Sequence, residues 1–262
     1  MIETRVVQSR FLKENVKVKI AVPNGQPIKK VLILLHGKKE SNKDETILDK
    51  MIEQLELEAL CEKCHLMTVI PCMKNCYYIS SEKYNCEKFI SEELLELLEQ
   101  YMGSLLYAEK LLGGISMGGY GAALIGANTQ SFQRVMVVSG SFIEKDILLG
   151  NPEVWGSKRP TEESTKGSFL KYFLPLSELP DSCYKSAEAA LCAIKQRTHR
   201  PELYFSCGSG DWLYTRNLRV LNMLRNHQIP YTFFEISEGK HDSRCFREGL
   251  WKIFEEIEGV RG

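Results

Sequence analysis

The sequence predicts an α/β chain built on a mostly parallel central sheet, with helices on both faces and a short insertion, or cap, after the strand that follows a small-residue helix. Three observations predict it. Strand-length apolar runs alternate with helix-length amphipathic stretches through most of the chain. Val31-Leu32-Ile33-Leu34-Leu35 is a continuous apolar run of the kind a strand buried on both faces gives. Gly114-Ile115-Ser116-Met117-Gly118 stands where a strand should pass sharply into a helix. At 262 residues and 44% hydrophobic content the chain can bury one large core. No linker divides it, so 1–262 reads as a single domain with 142–185 as the insertion.

Taken in order, residues 16–22 alternate charged and apolar side chains as a half-exposed strand and stop at Pro23-Asn24-Gly25. The buried strand at 31–35 ends at His36-Gly37. Residues 46–60 have helical spacing, 67–70 form a short strand before Pro71, and 91–102 read as an acidic amphipathic helix. Lys110-Leu111-Leu112-Gly113 leads into the serine turn, and 119–127 leaves it as a helix of small residues. There follow a strand at 134–138, a helix at 187–197, a strand at 202–206, a helix at 213–226, a strand at 231–236 and a closing helix at 244–257. Residues 142–185 break the alternation, being rich in proline, glycine, serine and charge, with Trp155, Phe169, Tyr172 and Phe173 scattered through them. Such an insertion can roof a pocket at the carboxyl ends of the strands or form a surface loop anchored by its aromatics. The sequence leaves both open.

Lysine plus arginine balance aspartate plus glutamate at 34 each. No net field exists to recruit nucleic acid or an anionic membrane, so a small-molecule substrate is the expected partner. Met1-Ile2-Glu3-Thr4-Arg5 is charged, and no apolar run approaches membrane-spanning length; the expected compartment is the cytoplasm. The nine cysteines are then expected as thiols. Cys61-Glu62-Lys63-Cys64-His65 has haem-attachment spacing, and Cys72, Cys76 and Cys86 lie near enough to raise zinc. Covalent haem attachment needs an exported chain, and the later cysteines lack a second close-spaced pair, so no metal is expected. The oligomeric state stays open, a homodimer included.

A serine on a strained strand-to-helix turn can act as a nucleophile only with a base to take its proton and an acid to orient that base. Of the five histidines, His241 alone follows the last strand through a polar loop and precedes the final helix, which sets it at the carboxyl edge of the sheet. His36, His65, His199 and His227 sit at a strand end, in the cysteine cluster, before Arg200-Pro201 and at a helix end. The candidate acid is Asp211, in the glycine-rich loop Cys207-Gly208-Ser209-Gly210-Asp211; its alternative role is to cap the next helix. Asp242 is the rival acid, badly placed beside His241 to reach that ring's Nδ1. The order Ser116, Asp211, His241 is the order of a triad on an α/β-hydrolase sheet. An oxyanion hole would take one N–H from Met117 and the other from Lys38 or Lys39 in the loop after the buried strand. His36, Trp155 and Trp212 are the candidate substrate contacts.

Leu34-Leu35-His36-Gly37, Gly114-Ile115-Ser116-Met117-Gly118-Gly119-Tyr120-Gly121, Cys207-Gly208-Ser209-Gly210-Asp211 and Gly239-Lys240-His241-Asp242 together resemble the esterase D or putative-esterase family of α/β-hydrolases. That family includes tributyrin esterases, acetyl and feruloyl carbohydrate esterases and S-formylglutathione hydrolases. The resemblance runs over nearly the whole chain. It implies a serine esterase hydrolysing short acyl esters through an acyl-enzyme, without a cofactor. A thioesterase acting on a glutathione conjugate and a non-catalytic binding protein on the same scaffold are the alternatives.

Overall fold

The computed structural model describes residues 1–40, 44–102, 108–142 and 187–259. Within them eight strands form one sheet: β1 (Ile2–Ser9), β2 (Glu14–Ala21), β3 (Lys30–Leu35), β4 (Leu66–Pro71), β5 (Glu109–Ile115), β6 (Arg134–Val138), β7 (Glu202–Gly208) and β8 (Thr232–Ile236). Their spatial order is β1-β2-β4-β3-β5-β6-β7-β8. β1 pairs antiparallel with β2, and β2 antiparallel with β4. Every pairing from β4 across to β8 is parallel.

Parallel neighbours need crossover connections, which helices supply. α1 (Thr46–Gln54) and α2 (Leu57–Cys64) join β3 to β4; α3 (Cys86–Lys88), a π turn (Phe89–Glu93) and α4 (Leu94–Met102) lie between β4 and β5. α5 (Met117–Asn128) joins β5 to β6, α6 (Ala187–Ala193) precedes β7, α7 (Tyr214–Asn226) joins β7 to β8, and α8 (Ser243–Ile257) closes the chain.

Because successive strand side chains point to opposite faces, the apolar strands feed two separate cores. Val31, Ile33 and Leu35 of β3 join one with Val135, Val137 and residues of α4, α5, α6 and α7. Leu32 and Leu34 join the other with Met136, Val138 and residues of α1, α2 and α8. This double burial is why 31–35 reads as an unbroken apolar run. α5 is buried from Met117 to Ala127, and its small residues let it lie close to the sheet. A Cβ on Gly118 would stand 2.0 Å from the Leu35 carbonyl oxygen, so only glycine lets the helix start against the end of β3.

The α/β-hydrolase fold expected from the sequence is present, with three differences of detail. β1 has no counterpart in the sequence reading, since its residues alternate too weakly to signal a strand; it is a sheet edge with most of its side chains exposed. The helix expected at 46–60 is two helices, broken at Glu56, whose φ of 54° lies in the left-handed region. The helical stretch expected at 91–102 begins earlier, at Cys86, where the Asn85 side chain caps Lys88 N–H. Apart from Phe142, the insertion expected at 142–185 lies outside the described residues, and Trp155, Phe169, Tyr172 and Phe173 lie there with it.

Candidate active site

Ser116 sits between β5 and α5 with φ 55° and ψ −114°. A non-glycine residue held there costs on the order of 1–3 kcal/mol and persists only where its surroundings fix it. They do so through its own main chain. Its N–H donates to Val138 O at 2.9 Å, and its carbonyl accepts from Tyr120 N–H at 3.1 Å and Ser141 N–H at 2.9 Å. The turn is thus tied both to its own helix and to the loop leaving β6.

Asp211 and His241 come from neighbouring strand ends, β7 and β8, whose loops meet at two glycines. A Cβ on Gly208 would lie 2.1 Å from Gly239 O, so the close approach of acid loop and base loop depends on glycine there. The result is a continuous chain. His241 Nε2 is 3.0 Å from Ser116 Oγ, and His241 Nδ1 is 2.8 Å from Asp211 Oδ2. An ionised carboxylate only accepts, so Nδ1 carries the proton and donates, which leaves Nε2 as the acceptor facing the serine hydroxyl. The other oxygen, Asp211 Oδ1, accepts Leu213 N–H at 2.8 Å. A contact to His241 and a capping bond to the next helix, posed as alternatives by the sequence, are made by the two oxygens of one buried carboxylate. Asp242 instead caps α8, accepting Cys245 N–H at 3.0 Å. Trp212 and Phe246 flank the His241 ring at centroid distances of 5.3 and 4.9 Å. Two thiols stand near these loops, and burial pushes Cys207 up to about 12 and Cys245 to about 11, so both stay protonated.

Ser116 and His241 open into a cavity of about 530 Å³. Its apolar wall includes Met51 and Leu55 at the end of α1, Tyr77, Ile115 and Phe246, and Lys38, Lys50 and Trp212 also line it. Trp212 is 63% exposed and stands where substrate contact was expected.

His36 does not. It is fully buried and is absent from the cavity wall. Its Nε2 accepts Met73 N–H at 2.9 Å and its Nδ1 lies 2.6 Å from Gly37 O, to which the remaining ring proton is donated. The ring staples the end of β3 to the segment after β4. Burial lowers its pKa from 6.5 to about 4, whereas in the unfolded chain it protonates at its ordinary value. The unfolded state therefore binds the extra proton between these values. Stability that is complete above pH 6.5 declines as pH falls towards 4, by on the order of 3 kcal/mol. Urea midpoints measured across this window should fall with pH, and His36→Gln should lose less across it than the natural protein.

The loop after β3 is also separated into two parts. Lys39 N–H donates to Asn75 Oδ1 at 2.8 Å, and Asn75 Nδ2 donates to Lys39 O at 2.9 Å. Asn75 thereby clamps Lys39, whose N–H is not aimed at the cavity, while Lys38 lines it. Tyr78 Oη donates to His36 O at 3.0 Å. Asn75, Tyr77 and Tyr78 carry no recognisable sequence signal, because a loop after a strand reads only as a loop. The cysteines of this region take separate partners: Cys61 contacts Thr68, Cys72 contacts Lys39, and Cys76 lies 3.7 Å from Cys86. Among the described residues no three His, Cys, Asp or Glu side chains converge as a metal site, and no helix is long and apolar enough to cross a membrane.

The family model described as putative esterase matches residues 9–256. The chain belongs to that family. Membership makes the protein an esterase. It is 26% identical over 268 residues to an acetyl esterase of Caldicellulosiruptor saccharolyticus, covering 96% of each chain. Among solved structures it is similar to an S-formylglutathione hydrolase of Staphylococcus aureus, with TM-score 0.73, 19% identity and 98% of both chains covered. A ferulic acid esterase matches with TM-score 0.65 and 22% identity over 100% of this chain and 98% of its own.

Proposed function

We propose that the protein hydrolyses short-chain acyl esters, acetylated or feruloylated carbohydrates among them, through an acyl-enzyme on Ser116. The observation that carries this is the unbroken chain from Ser116 Oγ through His241 to buried Asp211, opening on a cavity. His241 Nε2 takes the hydroxyl proton as Ser116 Oγ attacks the carbonyl carbon, and Asp211 holds the imidazolium that results. The negative oxygen accepts N–H bonds from Met117, at the first turn of α5 where helix N–H groups have no partner within the helix, and from Lys38. Lys38 is preferred to Lys39 because the Lys39 N–H is committed to Asn75. The imidazolium returns its proton to the leaving alkoxide, and water repeats the cycle on the acyl group.

The acetyl esterase relative supports a small acyl group. A second reading, a thioesterase acting on a glutathione conjugate, draws on Lys38 and Lys50 at the cavity, which suit the carboxylates of such a leaving group. The state of the described cysteines, all free, fits a cytoplasmic enzyme. Comparing kcat/KM for p-nitrophenyl esters of increasing acyl length, acetylated and feruloylated sugars and S-formylglutathione tests both. The first reading expects the short acyl esters to dominate, and a preference for S-formylglutathione would replace it with the second. No turnover of any of them would remove both.

A further inference from the structure

Among the described residues the exposed large hydrophobic side chains are Met1, Ile2, Val6 and Trp212. Trp212 belongs to the cavity. The other three lie on or beside one edge strand, β1, at 64%, 37% and 64% exposure. β1 bonds to β2 on one side and closes the sheet on the other. Its pattern of main-chain bonding is fixed by the residue just before it: Val22 N–H donates to Met1 O at 2.9 Å, and the Met1 amine donates to Val22 O at 3.0 Å. Hydrogen-bonded pairs alternate along an antiparallel ladder. With the register Ile2↔Ala21 to Ser9↔Glu14, the odd-numbered residues therefore face β2. The N–H and C=O groups of Ile2, Thr4, Val6 and Gln8 point outward.

We infer that β1 is the interface of a two-fold homodimer, in which β1 of a second copy adds antiparallel to it with Thr4 opposite Thr4. In this register Met1 meets Val7, Ile2 meets Val6, and Glu3 meets Arg5 of the other copy. Every pair is matched, apolar with apolar and acid with base, and cross-strand pairs of these kinds are stabilising. Outward-facing residues meet outward-facing residues, so Thr4 with Thr4 and both Ile2 with Val6 pairs close about six main-chain hydrogen bonds. The neighbouring symmetric registers are penalised. A shift by two residues sets Glu3 against Glu3 in one direction and Arg5 against Arg5 in the other, and a one-residue slip faces bonded groups to unbonded ones. Within one copy Arg5 Nη2 already lies 3.0 Å from Glu3 Oε2, so pairing exchanges the two exposed local ion pairs of two copies for two across the interface. An edge strand usually resists such addition through its charges; here the two charges of one copy complement those of the next.

Sedimentation velocity on the full chain across micromolar concentrations tests this. A dimer is expected. Proline is tolerated where an N–H points away from the sheet, so Thr4→Pro removes the central donor of each copy without touching the β1–β2 ladder. It should raise the dimer dissociation constant on the order of 10- to 100-fold. Arg5→Glu, which sets acid against acid, should give monomer, and Glu3→Arg combined with Arg5→Glu should restore the dimer. If Thr4→Pro does not fold, the charge-reversal pair decides. A monomer at all concentrations, or a dimer indifferent to both changes, overturns the proposal; so does a β1 that captures other strands without self-association.

Discussion

Ser116→Ala is expected to lower kcat for a short p-nitrophenyl ester by on the order of 10⁴- to 10⁶-fold while leaving the fold intact. The size follows from what the hydroxyl does. Without it no covalent bond to the acyl group forms, and what remains is cavity binding and the oxyanion donors. The fold should survive because the turn is held by main-chain bonds to Val138, Tyr120 and Ser141, none of which uses the Ser116 side chain. KM should change far less than kcat, since the cavity wall is untouched. Circular dichroism and the unfolding midpoint report the fold independently of activity. A variant retaining full turnover would place the nucleophile elsewhere.

Asp211→Asn is expected to cost on the order of 10³- to 10⁴-fold in kcat, although it changes one atom. Both carboxylate oxygens accept hydrogen bonds, one from Leu213 N–H and one from His241 Nδ1. An amide offers one acceptor and one donor. The backbone N–H of Leu213 cannot change its role, so the amide oxygen stays with it and the NH₂ turns to the imidazole. Nδ1 must then accept, the ring proton moves to Nε2, and the nitrogen facing Ser116 can no longer take its proton. Stability should change little. The steady-state rate and the unfolding midpoint separate the two effects, and a loss of activity that merely tracked unfolding would contradict the tautomer argument.

Much of this site was legible because its chemistry is tied to chain order. The turn at Ser116 announces itself through Gly114 and Gly118, each of which excludes a Cβ by close backbone approach. Asp211 and His241 follow strands in sequence as they do in space. The doubly buried β3 was legible for the same kind of reason, since every one of its side chains from Val31 to Leu35 enters one core or the other. What sequence hid is what depends on contacts between distant segments. His36 reads as a strand-end histidine facing a pocket, and only the Met73 main chain, 37 residues on, shows it to be a staple. Asn75, which takes the Lys39 N–H, lies in a loop without a pattern. β1 is exposed along its outer edge, so burial imprints no strong alternation on it. The break at Glu56 is a single left-handed residue inside an otherwise continuous helical pattern.

The central claim is that Ser116, and no other residue, is the nucleophile. Treating the folded protein with a fluorophosphonate and mapping the adduct by peptide mass spectrometry tests it most directly. The predicted result is stoichiometric modification of Ser116, lost in Ser116→Ala and strongly slowed in Asp211→Asn. Absence of labelling in folded protein, or an adduct on any other side chain, would contradict it.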